Sequence, residues 1–122
     1  MMDARTILVE EAVYPDRFRL LAELPGIDPV HDLRVTCDGS ELRLDATRDP
    51  PTTAARGQSE LWYGRRVRVV AVPWDVRCGT MTARYADGLL EVTADRGAPE
   101  PRRSAFQVPI FTAVRPERRA KS

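Results

Sequence analysis

Apolar side chains recur at every second position through most of this chain, in short runs that stop at proline, glycine or Asp-Gly. A period of two places alternate side chains on opposite faces of an extended strand. Met81, Ala83 and Tyr85 alternate with polar residues, Asp87-Gly88 interrupts, and Leu90 and Val92 resume the alternation. This predicts a hairpin closed by a type I′ turn. Leu33, Val35 and Cys37 repeat the pattern, Asp38-Gly39 gives a second type I′ signal, and Leu42, Leu44 and Ala46 continue it. Upstream, Ile7 and Val9 share a face in the run 5–12, Tyr14-Pro15-Asp16 turns the chain, and Phe18, Leu20, Ala22 and Leu24 share a face. Pro25-Gly26 predicts a sharp exit, because proline fixes φ and glycine tolerates positive φ. The β-branched run 66–72 ends at Pro73, completing seven main strands at short spacing, the expectation for an antiparallel β-sandwich of seven to eight strands.

All ten prolines fall between the apolar runs, and no window sustains a helical period. At 122 residues the chain suits one domain with one core. The expected organisation is a short tail at 1–4, a sandwich at 5–95 and a flexible extension at 96–122. Two segments stand apart from the alternation. Residues 48–61 are polar and too numerous for an ordinary turn, which marks a functional or mobile loop. After Ala94 the chain turns polar, and then Val108-Pro109-Ile110 appears in isolation. Its two β-branched side chains fall on one side of a segment that proline holds extended, as edge-strand docking requires.

With 19 basic and 18 acidic residues there is no global field to attract nucleic acid or anionic lipid, and neither is expected as a partner. Arg65, Arg66 and Arg68 have no accompanying aromatic stacking platform and read as a solvated strand face. No apolar stretch is long enough to span a membrane, and Glu10 and Glu11 end Ile7-Leu8-Val9 before a signal-peptide core forms. Two cysteines, Cys37 and Cys78, make no disulfide framework, so reduced thiols in the cytoplasm are the simplest account. His31 is the single histidine, and its neighbour Asp32 places it in a turn. Metal-ligand spacings, a nucleophile elbow and a phosphate loop are all missing, so no catalytic residue, metal or cofactor is expected; a constellation assembled only in the fold stays open at this level.

Several motifs, taken in order, resemble the α-crystallin domain of the small heat-shock proteins: Leu24-Pro25-Gly26, the Asp38-Gly39 hairpin, the long loop, Tyr63-Gly64, Val72-Pro73, the Ala-x-x-x-Asp-Gly-x-Leu pattern from Ala83 to Leu90, and Val108-Pro109-Ile110. The resemblance implies an immunoglobulin-like sandwich and a homodimer in which the long loop carries a strand across to the partner. Glu60, Trp62 and Arg68 would then be dimer contacts. It further implies that Val108 and Ile110 dock on a neighbouring subunit, in a groove between strands 33–37 and 80–85 edged by Leu33, Val35, Met81 and Ala83, and that larger homo-oligomers form.

The activity implied is that of a holdase, binding unfolding proteins without ATP and limiting their aggregation. The alternative is an adaptor that keeps the sandwich but serves one specific partner. Three departures from the family pattern stand out. Arg66 occupies a position where the family tends to have an aromatic residue, Ala94-Asp95 replaces an apolar-proline strand end, and little precedes the first strand, which puts higher assembly and client binding in question.

Overall fold

The computed structural model describes residues 6–49, 63–97 and 105–112. Its strands are β1 (Val9–Val13), β2 (Arg17–Glu23), β3 (Leu33–Asp38), β4 (Glu41–Arg48), β5 (Gly64–Ala71), β6 (Thr82–Ala86), β7 (Leu89–Asp95), β8 (Phe106–Gln107) and β9 (Ile110–Thr112). One 3-10 turn, Cys78–Thr80, precedes β6, so that strand starts one residue later than the alternation suggests. The strands form two sheets, in the orders β1-β2-β7-β6-β9 and β5-β4-β3-β8. The β-sandwich expected from the alternation is present, with β8 and β9 added from the C-terminal segment. All pairings among the described strands are antiparallel except one: β9, from the C-terminal segment, runs parallel to β6.

Alternation fills the core as expected. Phe18, Leu20 and Ala22 from β2 meet Leu90, Val92 and Ala94 from β7 on one sheet, while Leu33, Val35 and Cys37 face inward with Leu42, Leu44 and Ala46 on the other. Each fully buried side chain of this size contributes about 1.5–3 kcal/mol relative to exposure, the main term holding the layers together. No charged or polar residue is buried among the described residues.

The two hairpins differ. In β6–β7 both Asp87 (φ 52°) and Gly88 (φ 81°) are left-handed, as a type I′ turn demands. In β3–β4 Asp38 pairs with Glu41, so the two-residue loop is Gly39-Ser40, and only Gly39 has positive φ (63°). That is the type II′ pattern, correcting the type I′ reading. The larger correction concerns the cysteines: Cys37 and Cys78 are joined in a disulfide, with Cα atoms 5.6 Å apart. Sequence spacing gives no hint of it, because the bond joins one sheet's inner strand to the turn that leads into the other sheet.

Candidate functional site: an edge groove filled by the C-terminal segment

Without the C-terminal segment, β3 and β6 would each be the last strand of its sheet. Two bare edges, each with unpaired N–H and C=O groups, would then flank an apolar cleft. The segment 106–112 fills it. Residues Phe106–Gln107 pair with Thr36 and Cys37, and the Val108 N–H donates to the Val35 carbonyl at 2.8 Å. One residue later the chain crosses to the opposite wall, where the Ala83 N–H donates to the Pro109 carbonyl at 3.0 Å and Ile110 aligns with Ala83. Proline, which has no N–H, sits at the crossing and is used only as an acceptor.

Alternation within the motif does the rest. Val108 is 2% exposed, Pro109 points to solvent and Ile110 is half-buried against the core cluster. Leu33, Val35, Met81 and Ala83, the residues expected to edge the groove, are all buried in the core, and two of them meet the motif directly: Val35 bonds to Val108 and Ala83 is in register with Ile110. The occupant here comes from the same chain, whereas the sequence reading placed it on a neighbouring subunit. Phe106, half-buried at the β3 end of the groove, was missed from sequence because a single aromatic in a polar stretch carries no periodic signal.

The residues expected at a dimer contact are less complete. Glu60 and Trp62 lie outside the described residues, as does most of the loop 48–61. Arg68 is half-buried, and its Nη1 donates to the Ile7 carbonyl at 2.7 Å, tying the segment before β1 to the opposite sheet. The three arginines of β5 do not share one solvated face. Arg65 points outward and grips Asp45 with two hydrogen bonds of 2.9 and 2.6 Å, while strand alternation turns Arg66 and Arg68 to the other side. Hydrogen bonding to Arg65 holds the Asp45 carboxyl below its usual range, against a smaller opposing effect of burial.

His31 lies in the turn before β3, as expected, and its Nδ1 is 2.7 Å from Asp28 Oδ2. That hydrogen bond raises the imidazole's pKa and lowers the carboxyl's. Both side chains are largely exposed, so the pair has no enclosed volume in which to act on a substrate. Among the described residues no three His, Cys, Asp or Glu side chains gather to hold a metal ion, and no helix is long and apolar enough to cross a membrane. The groove offers apolar surface and backbone hydrogen bonds, the features by which a sheet edge binds an extended chain.

The Hsp20/alpha crystallin family model matches residues 10–111, from β1 through the tail strand in the groove. The chain belongs to the Hsp20/alpha crystallin family. Alpha-crystallins of Mycobacterium bovis and Mycobacterium tuberculosis are 29% identical over 106 residues, 87% of this chain and 73% of theirs. Among solved structures, a small heat-shock protein from Xylella fastidiosa with a distinct high-order structure is 30% identical with a TM-score of 0.67, covering 80% of this chain and 93% of that one. The HspA protein of Xanthomonas axonopodis is 26% identical with a TM-score of 0.68, covering 78% and 97%. Small heat-shock proteins are non-enzymatic chaperones whose members form oligomers and bind client proteins.

Proposed function

We propose that this small heat-shock protein is an ATP-independent holdase of the cytoplasm, capturing unfolding proteins on apolar surface and limiting their aggregation. The observation that carries the reading is the groove between β3 and β6. Its walls are sheet edges with apolar linings, and its occupant is held by short pairings of two and three residues. An extended apolar segment of a client satisfies the same backbone groups and fills the same pockets when that occupant leaves. The working unit in this reading is a homodimer formed by exchange of the loop 48–61, with Glu60, Trp62 and Arg68 at the contact. Support comes from β1 and β5, each the outermost strand of its sheet among the described residues, the position at which a partner strand adds. Larger homo-oligomers follow when Val108 and Ile110 dock on a neighbour instead of in their own groove.

Turbidity of a heated model client, titrated with the protein, tests the activity. Protection that is equal with and without ATP and weakened by a Val-Pro-Ile peptide is the expected result. No protection at several-fold excess overturns the reading and favours an adaptor with a single partner.

A further inference from the structure

The Cys37–Cys78 bond lies where the two walls of the groove come together. Cys37 is on β3, 1% exposed, and its register partner on the tail is Phe106. Cys78 opens the 3-10 turn that delivers the chain into β6, and its carbonyl accepts from the N–H of Met81, the residue directly before that strand. The walls belong to different sheets, so no ladder hydrogen bonds run directly between them. What spans the groove is the tail, through its bonds to Val35 and Ala83, and beside it the disulfide, which fixes the separation of the walls at the Phe106 end. Cys78 is half-buried, and is therefore the reachable side of the bond.

We propose that this disulfide is a redox control on tail docking: oxidised, it holds the groove at the width that retains residues 106–112; reduced, it lets the walls part and the tail leave. The reductant is a dithiol. One of its thiolates attacks Cys78 Sγ, the S–S bond breaks, and Cys37 departs as a thiolate that takes up a proton. The second thiol of the reagent then attacks the mixed disulfide and frees Cys78 as a thiol. Two electrons and two hydrogens pass to the protein, and the dithiol becomes a disulfide. In a reducing compartment a disulfide of this kind is transient and responsive rather than a permanent staple. The inference concerns docking alone and stands whether or not the groove takes clients.

Hydrogen exchange with and without dithiothreitol tests it on the wild-type protein. The amides of Val108 and Ala83 report the tail bonds, and those of Leu20 and Val92, in the ladder between β2 and β7, report opening of the whole sandwich. On reduction the first pair is expected to exchange about tenfold faster, with the second pair still the slower and less affected. Cys78→Ser, which leaves the buried Cys37 in place, is expected to behave like the reduced protein without any reductant. A purely structural disulfide predicts that all four amides accelerate together, and that result overturns the proposal. So does unchanged exchange at Val108 and Ala83 after reduction, or finding two free thiols in protein purified without reductant that stay unpaired on exposure to an oxidised dithiol.

Discussion

The space between the two sheets and the groove at their rim are both lined with aliphatic side chains, but they are closed in different ways. Around the interior, β2 pairs with β7 over seven residues in one sheet and β4 with β5 over eight in the other, so these strands leave only by breaking a long ladder. At the rim, β8 contributes two paired residues and β9 three. Burial at Val108 equals that in the deep core, yet its ladder is a fraction as long. Under the proposed exchange of the tail, depth of burial does not by itself mark a permanent contact, and the number of consecutive backbone pairs separates the fold from its occupant.

Damage to the interior is expected to have the largest effect. Phe18→Ala, at a fully buried site, is expected to cost about 3–5 kcal/mol in urea unfolding and to speed exchange throughout the sandwich. If the tail amides accelerated and the β2–β7 amides did not, the two regions would have exchanged roles. Substitutions in the tail should behave otherwise. Their cost has a ceiling, because once the segment has left the groove nothing more is lost. Val108→Asp is expected to lower stability by no more than about 3 kcal/mol, the upper value for one buried aliphatic side chain, and adding Ile110→Glu should lower it hardly further. Additive losses in the double variant would mean the tail is part of the cooperative core.

A smaller effect is expected where interior and rim meet. The β6–β7 turn joins a groove wall to a core strand, and Gly88 has φ of 81° with the backbone of Pro25 3.3 Å from where a Cβ would sit. Gly88→Ala should cost about 1–2 kcal/mol. Gly39→Ala in the β3–β4 turn, where nothing lies within 4 Å, should cost less, so the ranking of the two midpoints is the measurement. The smallest expected effect is electrostatic and far from both regions. His31 is raised above 6.5 by its hydrogen bond to Asp28, so its contribution is full below that value and lost as pH rises through the folded pKa. Asp28 is held below 3.8 by His31 and by the Val30 N–H, so its contribution is present above that value and lost as pH falls through the lowered one. The pair therefore helps most in mildly acidic solution. An NMR titration of His31 in Asp28→Asn should return the imidazole toward its ordinary value while leaving the tail amides unchanged.

Strand existence was legible in the sequence because period two and the inward face coincide at Phe18, Leu20, Leu42, Leu44, Leu90 and Val92. The register at Gly39 was not, since pairing through either Asp38-Gly39 or Gly39-Ser40 keeps Leu42 and Leu44 inward and alternation cannot choose between them. In β5 the three arginines read as one solvated face, yet Val67 and Val69 face outward with Arg65, 37% and 46% exposed, and Arg66 and Arg68 take the inner side. An edge strand tolerates that inversion because its inner positions near the sandwich rim still reach solvent. For the groove, the same-side placement of Val108 and Ile110 was readable from spacing, and the family resemblance suggested the walls. The disulfide left no trace, since Cys37 fits the inward pattern as a small apolar residue and Cys78 lies in an irregular segment.

The chain leaves β7 through a firmly held corner. Arg96, directly after β7, donates from Nε to Asp75 at 2.9 Å and from Nη1 to the Tyr14 carbonyl at 2.5 Å, while its own N–H donates to the Asp16 carbonyl at 3.0 Å. The neighbouring Gly97 N–H reaches the Asp75 carbonyl at 3.0 Å. The tail thus starts from a fixed point on the sandwich, a short stretch of chain from Phe106. In the proposed exchange, covalent linkage within one chain presents the docking motif to its own groove at an effective concentration on the order of millimolar. A free peptide, a second subunit or a client at micromolar level must therefore outbid a local concentration roughly a thousandfold above its own, either through greater intrinsic affinity or through many simultaneous attachments.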